Sequence, residues 1–347
     1  MPILTICNHK GGTGKTTSAV HLAAAFGRSG RRVLAIDFDP QGFMSRTMGA
    51  SPPPVEASSL ALLDPEADVD AIPVQSMSDF DLIGSTMALT KAQRHLTKPT
   101  DVLWLRETLR TIAPERYDII LLDTAAAVSV FTMNALVAAD HVVVPVTPEY
   151  QPVVGAEQTW RTVDLVRSKL NPALGPASFL LTRVDGRLNR HAAYSRYLRE
   201  RYGDAVLDAE IRTSSSLAVA GRDGRTVFDS PKPTRGAADY ATAAAELAPY
   251  LFPDEPRHDA PGLTTTSETA PLPVPPRPGV SPRPTPTPQE VASSGPQDGS
   301  NGVSPSSPAP SAPTAVEPAA EGPERVQPPS EEAKSRWVPI PPSGDLT

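Results

Sequence analysis

The sequence predicts a three-layer α/β domain, a mostly parallel twisted sheet with helices on both faces, followed by a disordered C-terminal tail. Three observations carry this. Short, nearly continuous apolar runs alternate with helical patterns through residues 1–252, as they do when a parallel sheet is covered on both faces. A glycine-rich turn separates the first such run from the first helical pattern. Finally, 24 of the 41 prolines and most of the net charge of −7 fall after residue 252. A segment so rich in Pro, Ser, Thr, Ala and Gly buries too little apolar surface to offset its ordering entropy. The domain is therefore placed at 1–252 and the tail at 253–347.

Each element follows in order. Residues 3–7 form a strand that runs into the glycine turn. Residues 15–28 continue as a helix with Val20, Ala23, Ala24 and Gly27 on one side, and 32–38 (RVLAIDF) is a second buried strand. Residues 40–79 carry a triple proline and read as irregular, with Met44, Met48, Met77 and Met87 filling gaps near this segment. Then come a strand at 80–84, a helix at 100–112, a strand at 117–123 (YDIILLD), a helix at 128–138 and a strand at 141–146. A helix at 155–170, a strand at 177–183, a helix at 190–202, a strand at 205–211 and an Ala-rich helix at 235–251 complete the domain. Near the end of the tail, residues 330–342 hold Trp337 and Ile340, the only large apolar groups for some distance, and read either as chance within disorder or as a short docking motif.

Composition removes several classes. Cys7 is the single cysteine, so there is no internal disulfide, no CxxC pair, and no pair of cysteines for a bridging iron–sulfur cluster. The N-terminus lacks a basic segment followed by a long apolar one, and no run approaches 18 apolar residues. A cytoplasmic protein without signal peptide or membrane span is expected. His21 and His141 sit beside apolar positions and read as packing or surface groups rather than ligands. No G-x-S-x-G motif is present.

The chemistry concentrates at KGGTGKTT, residues 10–17, directly after a strand and opening a helix. Backbone N–H groups of Gly11, Gly12, Thr13, Gly14, Lys15 and Thr16 converge on an anion only where side chains leave the approach open, which explains the glycines. Lys15 is placed to reach β/γ-phosphate oxygens, Thr16 to offer its hydroxyl to Mg²⁺, and Thr17 to contact the α-phosphate. In the ordinary loop, G-x-x-x-x-G-K-[ST], a glycine stands six residues before the lysine; here that position is His9, and Lys10 follows it. Asp37 and Asp39 end the second strand and Asp123 ends the strand after Tyr117. Carboxylates at the C-terminal edge of a parallel sheet face the crevice that holds the loop. One of them can hold Mg²⁺ through water while another orients an attacking water.

KGGTGKT, IDFDPQG and LLD in that order resemble the ParA/MinD family of deviant Walker-A ATPases, a group with the P-loop NTPase fold. NHKGGTGKTT, DFDPQG, NALVAADHVVVPVTPEY and LTRVDGR are most similar to its Soj-like partition branch, over residues 3–251. The resemblance implies that Lys10 reaches across an ATP-dependent homodimer to the partner's phosphates. It implies that Lys15 and Thr16 bind ATP and Mg²⁺, that Asp39 orients the hydrolytic water, and that Asp37 and Asp123 support the metal through water. It further implies a weak ATPase that coats DNA without sequence preference and is switched off by a ParB-like centromere-binding protein on the nucleoid.

Two stretches depart from the family pattern. Relatives have Asp-Cys-Pro-Pro after the strand at 117–123, where this chain has Asp123, Thr124, Ala125 and Ala126. Relatives also carry Ile-Pro-Arg where this chain reads IRTSSSL, with Arg212 in the proline's place. Arginines are dense nearby, and Arg187, Arg190, Arg196, Arg199, Arg212 and Arg222 are the candidates for contact with the DNA backbone. The alternative function keeps the ATPase but positions a protein assembly or polar structure, with the tail as tether to a scaffold. A membrane cycle is disfavoured, because the tail carries no basic amphipathic helix and Trp337 sits among prolines.

Overall fold

The computed structural model describes residues 1–254 except Pro65 and Pro114. The tail beyond residue 254, with the motif at 330–342, lies outside the described residues. Eight strands form one sheet: β1 (Ile3–Ile6), β2 (Val33–Phe38), β3 (Gln75–Ser76), β4 (Asp81–Ile83), β5 (Ile119–Thr124), β6 (His141–Val146), β7 (Ser178–Val184) and β8 (Val206–Arg212). Their order is β3-β4-β2-β5-β1-β6-β7-β8. Every pairing is parallel except β3 with β4. β1 thus lies between β5 and β6, so the chain changes direction along the sheet around it and opens a crevice at its C-terminal end.

The helices are α1 (Lys15–Arg28), α2 (Phe43–Thr47), α3 (Ala88–Ala92), α4 (Trp104–Leu109), α5 (Val130–Ala138), α6 (Tyr150–Lys169), α7 (Asn189–Tyr202), α8 (Ser215–Arg222) and α9 (Arg235–Leu251). Alternate residues of the buried strands feed opposite faces, following the period of two. Leu4, Ile6, Val33, Ala35 and Leu121 pack beneath α1 and α9, where Val20, Leu22, Phe26, Tyr240, Ala243 and Leu247 meet them. Ile3, Leu34, Ile36, Ile120 and Leu122 face α4 and α5, while Val142, Val144, Phe179 and Leu181 face α6 and α7. The three layers expected from sequence are present.

Several elements differ from their sequence expectation. The helix at 100–112 is a 3₁₀ turn, Pro99–Val102, followed by α4, because Asp101 folds back to accept the Lys98 N–H at 2.8 Å. The helix expected from residue 155 starts at Tyr150, with Pro152 in its first turn, where no intrahelical N–H is required. Inside 40–79, helix α2, short 3₁₀ turns and the antiparallel edge strand β3 replace an unstructured segment. Met44 and Met48 are buried there and Met77 is partly so, but Met87 is 63% exposed and fills no gap. His21 stacks on Tyr240, His141 bonds Ser178 at 2.9 Å, and burial pushes both imidazoles down to about 4. They are neutral packing groups at physiological pH.

One buried amide ties two layers of connection together. Asn134 of α5 accepts the Leu105 N–H at 3.1 Å and donates to the Asp101 carbonyl at 2.7 Å, so it caps the start of α4 from outside. Asn134→Ala leaves both backbone groups buried without partners, a cost of about 2–4 kcal/mol. Denaturant unfolding of the nucleotide-free protein should show that loss with an unchanged m-value, whereas a loss below about 0.5 kcal/mol would contradict this role.

Candidate functional site

The loop between β1 and α1 begins with a backbone locked from both sides. Buried Asn8 donates through Nδ2 to the Pro145 carbonyl at 2.7 Å and accepts the Lys10 N–H through Oδ1 at 2.9 Å. The His9 N–H donates to the Thr159 hydroxyl of α6 at 3.0 Å. Gly155 of α6 sits under this turn, and a Cβ there would lie 2.7 Å from the Lys10 Cβ. The close approach explains a glycine inside a helix, which ordinarily costs about 1 kcal/mol relative to alanine. Lys10 is held at its backbone, while its ammonium makes no hydrogen bond or ion pair among the described residues.

Gly12 and Gly14 have φ of 78° and 84°, the left-handed region that turns successive N–H groups to one side. No atom would meet a Cβ at Gly11 or Gly12 within 4 Å, so the cradle is open. Lys15 follows, buried, with Nζ donating to the Lys10 carbonyl at 3.1 Å. Burial lowers its pKa; Asp123, Cys7 and Asp39 act in the opposite direction. Thr13 is buried, while Thr16 and Thr17 are half-buried at the helix start.

The three acidic positions converge on this loop. Asp37 and Asp123 are register partners on adjacent strands β2 and β5, and Asp123 is also paired with Ile6 at the end of β1. Such neighbours lie about 5 Å apart. Both are fully buried. Asp37 accepts the Ser45 N–H and hydroxyl at 2.8 and 2.7 Å, and burial raises its pKa to about 6 despite those bonds. Neither oxygen of Asp123 meets hydrogen-bond geometry with any described group. Burial first, then the charge of Asp37, push its pKa well above the ordinary carboxylate range, opposed by the Thr16 hydroxyl and Lys15. Asp39 accepts the Gln41 N–H at 2.9 Å, and its carbonyl accepts the Ser85 hydroxyl at 2.6 Å.

Sequence reasoning did not single out Asn8, Ser45, Ser85 or Gly155. Ser85 N–H donates to the Ser45 hydroxyl at 3.1 Å, so one chain of bonds runs from Asp37 through Ser45 and Ser85 to Asp39. No local pattern marks these serines, since one comes from the short helix α2 and the other from the segment after β4. Gly155 could have been found as a lone glycine within a helical pattern.

A buried carboxylate with two unpaired oxygens, beside a hydroxyl and a buried lysine, fits a divalent cation and an anionic ligand together. The six arginine candidates are dispersed. Arg196 is exposed, and no ion pair engages it among the described residues. Arg187 pairs with Asp185 at 2.7 Å, Arg190 with Glu149 at 3.6 Å and Arg222 with Asp223 at 3.0 Å, all exposed. Arg199 is folded onto β8, against Glu210 at 3.1 Å and Asp208 at 3.3 Å, so it does not share the solvent-facing surface of Arg196. Arg212 forms a bidentate pair with buried Asp239.

Known proteins share this arrangement. A family model described as an AAA domain matches residues 1–175. The sporulation initiation inhibitor protein Soj of Bacillus subtilis is 34% identical over 248 residues, covering 71% of this chain and 98% of that protein. The chromosome-partitioning ATPase Soj of Thermus thermophilus is 36% identical over 250 residues, covering 70% and 94%. The cobyrinic acid a,c-diamide synthase of Mycobacterium smegmatis, solved with a bound ATP analog and magnesium, superposes with a TM-score of 0.61 at 25% identity, covering 73% and 97%.

The orphaned acid has a measurable consequence. Asp37 and Asp123 bind protons more tightly in the folded chain than in the unfolded one, so nucleotide-free stability should fall as pH rises from about 4 past 6. Asp123→Asn should flatten that fall and stabilise the nucleotide-free protein at pH 7 by about 1–3 kcal/mol, while removing the extra melting temperature given by ATP with Mg²⁺. Thermal melts from pH 5 to 8 check both. A less stable Asp123→Asn protein would show that the carboxylate is paired after all.

Proposed function

The chain belongs to the ParA/MinD family of deviant Walker-A ATPases, in its Soj-like branch, and from that premise we propose an ATP-driven partition switch. The observation that carries it is the meeting of Lys10, Lys15 and the unpaired Asp123 at one open loop. ATP with Mg²⁺ is the ligand that this set fits. Lys15 exchanges the Lys10 carbonyl for β/γ-phosphate oxygens, and the loop N–H groups hold the same phosphates. Thr16, with Asp37 and Asp123 through water, would hold the cation, which when bound would offset negative charge on the phosphates. Asp39, at the end of the serine chain, orients the water that attacks the γ-phosphate. Hydrolysis is slow until a ParB-like partner stimulates it.

Lys10 serves a second copy of the chain. Its backbone is fixed against Asn8 and Gly155, and its ammonium makes no hydrogen bond or ion pair among the described residues. Around it, Phe43, Met87, Val128 and Tyr150 each follow the C-terminal end of a parallel strand and are at least half exposed. An apolar rim around a phosphate site is the surface a facing subunit would cover. ATP then belongs to the dimer interface, and its hydrolysis releases the dimer.

The dimer contacts DNA phosphates through Arg187, Arg190, Arg196 and Arg222, which are exposed. Arg199 and Arg212 contribute less: Arg199 is half-buried between Asp208 and Glu210, and Arg212 is held bidentate by the buried Asp239, whereas the acids paired with Arg187, Arg190 and Arg222 are themselves solvent-accessible. The domain ends at residue 252 and the tail serves as an appendage. Such a protein works in the cytoplasm, on the nucleoid; no described helix is long and apolar enough to cross a membrane.

Lys15→Ala should abolish the ATP-dependent rise in melting temperature. Lys10→Ala should bind ATP with near wild-type affinity yet remain monomeric in sedimentation, and Asp39→Ala should hold the ATP dimer at least about tenfold longer. Equal dimer lifetimes for Asp39→Ala and wild type would overturn the role given to Asp39. In the same solutions, ATP-dependent DNA binding should weaken at least about tenfold between 50 and 200 mM salt, without sequence preference. No binding at low salt with ATP present would remove DNA from the cycle.

A further inference from the structure

Among the described residues Arg183 is the one non-glycine with a positive φ, 53°. A residue with a Cβ does not adopt that conformation freely, at about 1–3 kcal/mol. Thr213 holds it in place. Its hydroxyl donates to the Arg183 carbonyl at 3.2 Å and its N–H to the Val184 carbonyl at 3.0 Å. The turned backbone directs the guanidinium onto the phosphate loop, where Nη1 donates to the Gly12 carbonyl at 3.3 Å. Next to it, the Thr182 hydroxyl donates to the Thr13 carbonyl at 2.8 Å. The end of β7 therefore grips the loop at two successive carbonyls.

The partners of the surrounding arginines make Arg183 distinctive. Arg187, Arg190 and Arg212 are each neutralised by a carboxylate. Arg183 has none, although Asp185 is two residues away, because Arg187 occupies both oxygens of that acid. Among the described residues, its side chain's hydrogen-bond partner is a neutral carbonyl at 3.3 Å. Beside it lies a cavity of about 200 Å³ lined by Arg183, Thr147, Glu149, Asp185, His191 and Thr213 among others. The Thr147 hydroxyl in that wall is buried without a hydrogen-bond partner. A guanidinium so held, with room to move, gains most from a phosphate, whose charge and geometry match its planar fork.

We propose that Arg183 is a catalytic arginine acting on the nucleotide of its own subunit. It leaves the Gly12 carbonyl for oxygens of the phosphates bound in the same loop. The proposal rests on the ATPase activity described above. In that step water attacks the γ-phosphorus, the bond from that phosphorus to the β–γ bridging oxygen breaks, and ADP, phosphate and a proton leave. Arg183 compensates the charge that builds on the bridging oxygen, a role otherwise filled by an arginine finger.

Arg183→Gly separates this from a structural role, since glycine keeps the left-handed backbone without strain and removes only the side chain. Steady-state hydrolysis by the full chain, with titrations of ATP and ADP, gives the readout. Arg183→Gly should lose about 10- to 100-fold in kcat with KM changed less than about threefold and melting temperature preserved, and Arg183→Lys should recover only part of the rate. Wild-type kcat in Arg183→Gly would overturn the proposal. So would equal loss of ATP and ADP affinity at unchanged kcat, which marks a mere pin on the loop. A wild-type chain that hydrolyses no ATP would instead bring down the ATPase function itself, and this step with it.

Discussion

Two carboxylates side by side in a buried sheet edge are the constraint on which the rest of this molecule depends. Asp37 and Asp123 face each other across β2 and β5, and Lys15 is the buried cation beside them. Like charges at that separation in a desolvated site cannot both ionise without compensation. Burial pushes both pKa values up, and neither oxygen of Asp123 meets hydrogen-bond geometry with a described group, the Thr16 hydroxyl and Lys15 offsetting its charge only in part. The protein therefore carries an electrostatic strain that a cation and its phosphate partner relieve. Ligand binding and folding stability become linked through the same two residues, in the way buried ionisable groups gather at functional sites.

The surrounding architecture keeps that strain from relaxing uselessly. Ser45 of α2 holds the Asp37 carboxylate, and Ser85, from the segment after β4, holds the backbone of Asp39. On the other side of β1, Asn8 and Gly155 fix the backbone of Lys10. The result is a site whose acidic half is rigid and short of positive charge, and whose cationic half includes two groups with weak partners. Among the described residues, Lys10 has no hydrogen-bond or ion-pair partner for its ammonium, and Arg183 is bonded to a carbonyl. Charge supplied by a nucleotide satisfies both halves at once, which is what preorganisation toward a single ligand means in energetic terms.

Much of this was legible in the sequence, for a physical reason. The strands ending in Asp37 and Asp123 are nearly unbroken apolar runs, and only a sheet buried on both faces tolerates them. The loop residues from Gly11 to Thr17 are adjacent in the chain, so spacing alone located them. What escaped was whatever depends on tertiary context. Helices α2, α3 and α8 are eight residues or fewer, too short to form on propensity, and packing holds them in place. Ser85 and Arg183 act over separations of 46 and 171 residues, and Ser45 reaches Asp37 across an irregular turn of 8, none of which a periodicity encodes. Arg212 looked available for DNA, but a partner 27 positions away in α9 already claims it.

The exposed arginines and the phosphate loop are not independent surfaces. Thr182 and Arg183 hold the loop at Thr13 and Gly12, and the same strand leads within a few residues through Asp185 and Arg187 into α7, where Arg190 and Arg196 face solvent. His191, at the start of that helix, receives the Asp185 N–H at 3.1 Å and lies 3.4 Å from Glu149, just before α6. A movement of Arg183 away from Gly12 would therefore act on the segment that positions α7. Coupling of this kind requires an element with two discrete arrangements biased by both sites. The left-handed residue at Arg183, held by Thr213 and partnered by a single carbonyl, has the local strain such an element needs. In the ATP-dependent DNA-binding cycle proposed for this chain, the short path from loop to α7 is where the two states would diverge.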